Sequence, residues 1–224
     1  MHIPAYVIMT GLLAQAFFSA RIIFQWVLSE RARRVVSPSV FWILSLAGSF
    51  LLLAYGWMRS DFSIMLGQII GYYVYIWNLQ IKGVWAKLPK GWDKVVVGLL
   101  LAAPVLCMGA LLIEQGVDQI VRQLFHNRDV PLWLLIFGSA GQVVFSLRFL
   151  YQWYYSAKRG RSILPAGFWV ISLMGCLVIL AYGCIRRDPI LLLAQAPGMV
   201  VYSRNLYLCF KYGAEGDTDT RKRN

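Results

Sequence analysis

The sequence predicts an all-α membrane protein, a polytopic bundle of seven transmembrane helices in a three-plus-one-plus-three plan. Three observations carry that expectation. The 224-residue chain is 59% hydrophobic with a mean hydropathy of +0.60. Its apolar stretches run to roughly 20 residues, enough for a helix to cross a bilayer. Residues 11–82 align without a gap onto 138–209 at a constant offset of about 127, and about 28 of 72 paired residues are identical. The basic residues behind the formal net charge of +12 sit mostly in every second segment between the apolar stretches, which is a topology signal.

Taken in order, the first span is expected over 3–28. It is apolar from Ile3 to Leu28 and closes on Arg31, Arg33 and Arg34. Lacking a basic leader and being too long for a signal-peptide core, it is expected to be retained. The second span, 39–58, opens after Pro38, where a missing N–H costs nothing, with Ser37 as its expected cap. The third, 62–82, follows Asp61. A fourth, 94–113, has no counterpart in the repeat. Spans five to seven, 130–155, 166–185 and 189–210, repeat the first three, with Pro165 and Pro189 at their starts. The stretch Val117 to Asn127 has the look of an outer interfacial helix.

The fourth span has a geometric purpose. A three-span unit ends on the side opposite its start, so one further crossing lets the second copy insert in the same orientation, as a parallel repeat about an axis along the membrane normal. The expected organisation is residues 1–90 as the first repeat, 91–128 as linker helix and outer loop, 129–212 as the second repeat, and 213–224 as a tail. One side receives Arg31, Arg33, Arg34, Lys82, Lys87, Lys90, Lys94, Lys158, Arg159, Arg161 and the basic tail. The positive-inside rule places that side in the cytoplasm, with the N-terminus outside and the C-terminal tail inside.

Several function classes are excluded at this level. The positive charge lies in short loops, with no soluble basic surface to track a nucleic acid. Cys107, Cys176, Cys184 and Cys209 lie in apolar segments without paired spacing, and His2 and His126 lie far apart, so neither disulfides, a metal site nor a bound cofactor is expected. Short loops leave no room for a soluble catalytic domain, and the chain is expected not to be an enzyme.

The duplicated residues fall on helical stripes. Gly11, Gln15, Phe18, Gln25 and Ser29 mark the first helix; Pro38, Phe41, Ser45, Gly48, Tyr55 and Arg59 the second; Gln68, Gly71, Tyr75 and Asn78 the third. Steps of three and four place each set on one inward face. Packing of small residues explains the glycines and serines. For the amides and rings, Gln25, Gln152, Asn78, Asn205, Gln68, Gln195, Tyr75, Tyr202 and Trp77, the alternative is a lined cavity that bonds hydroxyls and stacks on a sugar head group.

Three arginines fall within spans: Arg21, Arg148 and Arg204. Arginine at membrane depth costs about 2.5–3.5 kcal/mol on an insertion scale, and the acidic residues are all expected in loops or tails. The neutralising anion is then expected to arrive with the substrate, and a phosphate matches the guanidinium fork. The competing account is snorkelling to the headgroups. Arg204 faces Trp77 in the other copy, which breaks the symmetry. Pro197, beside Gly198, kinks the last helix as a hinge or as a packing bend.

At this point the residues resemble a known family. The run Arg21-Ile-Ile-Phe-Gln-Trp, then Ser37-Pro-Ser-Val-Phe-Trp to Gly48, Leu53-Ala-Tyr-Gly and Tyr75-Ile-Trp-Asn-Leu, resembles the lipid A biosynthesis N-terminal domain, here in two tandem copies. The three-one-three plan is more distantly similar to PQ-loop and SWEET-type transporters. Gln25 and Gln152 stand where that superfamily has its glutamine, although the preceding proline is Phe24 or Tyr151 here. With Pro197, Pro38 and Pro165 are the hinge or gating candidates.

The resemblance implies handling of a lipid-linked sugar or phospholipid precursor in the bacterial inner membrane. The leading expectation is a transporter or flippase for a phosphate-bearing, polyprenyl-phosphate-linked sugar used in lipid A or envelope glycan modification. The alternatives are a non-catalytic partner of a membrane glycosyltransferase, and a soluble-sugar carrier like the SWEET proteins.

Overall fold

The structure is a computed structural model that describes residues 4–125, 131–187 and 189–212. The expected tail, 213–224, and most of the expected outer loop, 126–130, lie outside the described residues. The described residues are helical: α1 (Ala5–Ala32), α2 (Ser39–Met58), α3 (Phe62–Ile81), α4 (Trp92–Gln115), α5 (Val117–Phe125), α6 (Leu132–Arg159), α7 (Ala166–Arg186) and α8 (Pro189–Tyr212), with a 3-10 turn at Trp85–Lys87. Four of them, α1, α2, α4 and α7, are long and apolar enough to cross a membrane. Helices α3, α6 and α8 carry six of the duplicated amides and Arg148, and fall outside that set, so seven spans is a larger number than composition alone supports.

Helix ends have local causes. Asp61 caps α3, its carboxylate accepting from the Ile64 N–H at 3.1 Å. Helix α6 stops at Gly160, whose φ of +60° is the left-handed conformation that a Cβ would strain. Pro165 precedes α7 in extended conformation and Pro189 is the first residue of α8. Ser37 was expected to cap α2; its buried hydroxyl lies 3.0 Å from that of Ser162.

Two compact units emerge. One comprises Met1–Arg21 and Ser39–Asp129, the other Ile22–Pro38 and Val130–Asn224. The division runs through α1 between Arg21 and Ile22, so the segment 22–38 groups with the second copy.

In the first unit α2 packs along α3, and α4 lies against both. Trp42, Leu53, Met65, Tyr72 and Leu79 are its most enclosed side chains. Gln115 donates to the Ser60 carbonyl at 2.9 Å, tying the end of α4 to the α2–α3 turn. In the second unit α7 packs along both α6 and α8 around Trp169, Ile163, Leu164, Cys176 and Leu208.

One close approach recurs in both. A Cβ on Gly48 would come within 3.0 Å of the Phe18 ring, and one on Gly175 within 2.8 Å of the Phe145 backbone. Small residues here let the helices approach until Phe18 and Phe145 are pressed inward. Those two rings sit three residues before Arg21 and Arg148.

Candidate functional site

Arg21 and Arg148 are 7% and 4% exposed, each enclosed by its own unit. The guanidinium carbon of Arg21 lies 4.6 Å from the centroid of Phe18, 5.5 Å from Phe41 and 5.7 Å from Tyr75. Its Nη1 donates to the Ser45 hydroxyl at 2.9 Å and to the Tyr75 hydroxyl at 3.1 Å. Arg148 repeats the pattern. Its guanidinium carbon is 3.4 Å from the centroid of Phe145, 4.6 Å from Phe149, and 5.7 Å from both Phe168 and Tyr202. Its Nη1 donates to the Tyr202 hydroxyl at 3.3 Å. Snorkelling is not what either side chain does.

These cages have a common logic. Ring faces attract a desolvated cation by about 2 kcal/mol, and hydroxyls accept its N–H bonds. Ser45, which accepts from Arg21, itself donates to the Phe41 carbonyl, and its paired residue Ser172 donates to that of Phe168 at 2.6 Å. Tyr75 and Tyr202 each lie against a buried tryptophan, Trp42 and Trp169, with centroids 6.0 Å apart in both pairs. Rings and hydroxyls lower the cost of burying the guanidinium.

Arg204 differs from the expectation. It is 45% exposed and forks onto Glu30, its Nη2 3.0 Å from one carboxylate oxygen while Nε meets the other. The Trp26 indole donates to the same carboxylate at 3.0 Å. The premise that all acidic residues lie outside helices fails here, because α1 continues to Ala32 and carries Glu30. Asp93 and Glu114 likewise fall within α4, and Asp118 within α5. Arg204 therefore has its anion within the protein.

The four duplicated amides are fully enclosed and turned onto protein groups. Gln25 shares its two N–H groups among the Ser29 hydroxyl at 2.9 Å, the Val36 carbonyl at 3.3 Å and the Asn205 oxygen at 2.9 Å. Asn205 donates back to Gln25 at 3.1 Å and to the Val201 carbonyl at 3.0 Å. Gln152 donates to the Ser156 hydroxyl at 2.8 Å and the Ile163 carbonyl at 2.9 Å. Ser29 and Ser156 in turn accept from the backbone N–H of Val36 and Ile163, at 3.1 and 3.0 Å. In each copy, then, a glutamine and a serine one turn apart clasp the connection that follows their helix. Asn78 donates to the Val74 carbonyl at 2.8 Å.

This corrects the cavity expectation for these amides, because buried backbone groups in the connections need partners more than an open space needs lining. A cavity of about 320 Å³ does occur in the first unit, but Phe50, Leu53, Ala54, Trp57, Met58, Ala103 and Cys107 line it. None of the expected site residues does.

The remaining expected residues scatter. Gln68 is half-buried and accepts from Ser49 at 3.0 Å, and Gln195 offers its carbonyl to the Cys176 thiol at 3.5 Å. Trp77 is half-buried. Among the prolines, Pro165 is buried, Pro38 half-buried and Pro197 exposed within α8. Sequence reasoning had the cage rings Phe18 and Phe41 and the clasp serine Ser29 on its stripes, but without these roles. Glu30 carried no signal, since its counterpart is Ala157.

Residues 10–80 and 137–207 each match the Lipid A Biosynthesis N-terminal domain. The chain belongs to the Lipid A Biosynthesis N-terminal domain family. Both matched segments contain the caged arginine and the glutamine–serine clasp of their copy. Among similar proteins, the lipid-A-disaccharide synthase of Chlamydia felis is 29% identical over 214 residues, covering 94% of this chain and 34% of that protein. The lipid-A-disaccharide synthase of Chlamydia pneumoniae is 31% identical over 204 residues, covering 90% of this chain and 33% of that protein. That of Chlamydia trachomatis serovar D is 28% identical over 199 residues. No solved structure matches the chain.

These relatives overturn the expectation that the chain is not an enzyme: proteins that match about nine-tenths of it are named for an enzyme. The chain spans about a third of the length of the curated relatives it matches. Its connection to lipid A biosynthesis is carried by the family and by those names.

Proposed function

We propose that this chain binds a phosphate-bearing, lipid-linked sugar, of the polyprenyl-phosphate or lipid A precursor type, and moves it between leaflets of the bacterial inner membrane for lipid A or envelope glycan assembly. The observation that carries the reading is the pair of guanidiniums, Arg21 and Arg148, buried at duplicated positions among rings and hydroxyls. A lipid phosphate supplies a charge of the opposite sign, with oxygens spaced for the guanidinium fork. The family supports the substrate class, because its name and the names of the relatives both concern lipid A. The four enclosed amides and Arg204 are left out of this reading, since protein groups already engage them. The N-terminus is outside and the tail inside, following the positive-inside bias.

The test is translocation in proteoliposomes of a fluorescent polyprenyl-phosphate sugar, scored by accessibility to a membrane-impermeant quencher. Wild-type protein should accelerate it, and Arg21→Gln with Arg148→Gln should abolish the acceleration. Equal rates with and without wild-type protein would remove the transport reading.

A second reading is favoured by the comparisons. The curated relatives are about three times as long and are named lipid-A-disaccharide synthase, so this membrane segment can serve to present a phosphorylated lipid acceptor to glycosyl transfer. Stimulation of disaccharide formation by the reconstituted chain, without translocation, would select it.

A further inference from the structure

The apolar cavity of the first unit lies between α2 and α4, and α4 has no counterpart in the second copy. Side chains of α2 from Phe50 to Met58, with Ala103 and Cys107 of α4, surround a volume of about 320 Å³. Among the described residues its lining holds no charge, amide or hydroxyl. Two bonds hold the walls in place. Gln115 ties the end of α4 to the Ser60 carbonyl at 2.9 Å, and the Tyr73 hydroxyl donates to the Leu101 carbonyl of α4 at 3.1 Å. Between Leu101 and Gln115 the lining residues of α4 are small, and Pro104 denies the Leu100 carbonyl its helical N–H. The walls are fixed with the space left between them.

We propose that this cleft seats one acyl chain of an anionic phospholipid of the outer leaflet, with Arg59 beside the headgroup. Protein interiors leave few voids larger than a water molecule, and an apolar cavity stays dry and takes an apolar guest. Phe50, Trp57 and Met58 are exposed, and α2 and α4 are both long and apolar enough to cross a membrane, so the cleft opens on hydrocarbon chains. Its volume falls at the lower end of ligand pockets, about 300–1,000 Å³. That is room for one chain and too little for a partner helix, about 10–12 Å across. The lining occupies the half of α2 that ends at Met58, away from Arg31, Arg33 and Arg34. The positive-inside bias makes that the outer half. Trp57, one residue from the end of α2, is the kind of ring enriched at headgroup level. The next residue after Met58 is the exposed Arg59, whose long stem reaches the phosphates. The inference goes beyond the phosphate reading above and does not rest on it, since neither Arg21 nor Arg148 lines the cleft.

The experiment uses the full chain in detergent micelles, titrated with phosphatidylglycerol bearing a brominated acyl chain, or with zwitterionic phosphatidylcholine of the same chains. Bromine quenches indole fluorescence on contact, and Trp57→Phe supplies the background, so the difference reports the cleft. Quenching of Trp57 should saturate at about one lipid per chain. Phosphatidylglycerol should bind about fivefold more tightly than phosphatidylcholine, the effect expected of one basic side chain at the headgroup layer. Arg59→Gln should remove that preference and keep the quenching. Ala103→Phe should fill the cleft and abolish the saturable quenching. A photoactivatable phosphatidylglycerol with a diazirine in its acyl chain tests the wild-type protein without a variant. Its crosslinks should map to 50–58 and 103–107 and be rare on 177–185, the paired stretch of the second copy, where Leu177 and Ile185 are also exposed.

Quenching that rises linearly with lipid, or crosslinks shared evenly with 177–185, means annular lipid only and overturns the assignment. Tighter binding of a polyprenyl phosphate than of phosphatidylglycerol at Trp57, or shielding of Trp57 by self-association of the chain, would put another occupant in the cleft and overturn it as well. An Arg59→Gln protein that keeps the preference for phosphatidylglycerol would overturn the headgroup contact. None of these results bears on the translocation test, and failure of that test leaves the cleft assignment standing.

Discussion

Replacing Gln25 by methionine keeps the length of the side chain and removes its amide. The reciprocal pair with Asn205, at 2.9 and 3.1 Å, is lost in both directions, and so is the bond to the Val36 carbonyl at 3.3 Å. Asn205 then keeps one bond, to Val201, and its side-chain oxygen is left buried with nothing to accept. Interhelical hydrogen bonds in membrane proteins average about 0.6 kcal/mol, and a stranded buried polar group adds about 1–3 kcal/mol. The expected cost of Gln25→Met is therefore about 2–4 kcal/mol.

Asn205→Leu should cost a similar amount by the mirror argument. The double variant removes both partners, strands neither, and should fall short of the sum by about 1–2 kcal/mol. The assay is reversible unfolding in micelles or bicelles, without ligand, on the four proteins of the cycle. Strictly additive costs, with coupling under about 0.5 kcal/mol, would refute the claim that these amides serve each other.

Other consequences follow from contacts of the same kind. Gly175→Ala drives a Cβ to within 2.8 Å of the Phe145 backbone and should destabilise by about 1–3 kcal/mol. Gly48→Ala meets only the Phe18 ring at 3.0 Å and should cost less, a difference that a paired melting series reads directly. Arg204→Gln removes an exposed ion pair with Glu30, and should leave both the melting midpoint in physiological salt and hexadecyl phosphate binding essentially unchanged. A fall in binding matching that of Arg148→Gln would return Arg204 to the site. Single cysteines at Arg33 and Ser60, which occupy the turns at opposite ends of α2, should label with impermeant maleimide from opposite faces of the membrane.

How far the fold was legible depends on which physical signal set each feature. Hydropathy located the long helices, because transfer of an apolar run into lipid is a local property of the chain. It misplaced their ends where the helix continues past the apolar run. Helix α1 runs to Ala32 rather than 28, and α6 to Arg159 rather than 155, both ending in polar turns. Those ends are set by backbone: Arg33 and Gly160 adopt positive φ. The proline positions were legible because they act on their own neighbours. The partners of Gln25 and Arg148 were not, since Asn205 and Tyr202 lie far along the chain. Duplication marked them as a set but said nothing of who meets whom.

The duplicated polar residues divide by the kind of demand each makes. A glutamine asks for hydrogen bonds alone, and the connections after α1 and α6 supply them through a serine and a backbone carbonyl. Once those bonds form, nothing about Gln25 or Gln152 calls for a ligand. Retention of both follows from the need to clasp two equivalent connections. A guanidinium asks for hydrogen bonds and for a countercharge. Serine and tyrosine hydroxyls accept hydrogen bonds around Arg21 and Arg148, and phenylalanine faces add cation–π contact. Where copies diverge on this question, the protein supplies the charge itself: Arg204, replacing Trp77, is matched with Glu30, which replaces Ala157. The ion pair arises at an exposed position, where desolvation costs little. The enclosed arginines are instead held among rings and hydroxyls, and a phosphate has the oxygens that suit the guanidinium fork. That contrast favours Arg21 and Arg148, over every amide on the stripes, as the residues through which a charged lipid is held.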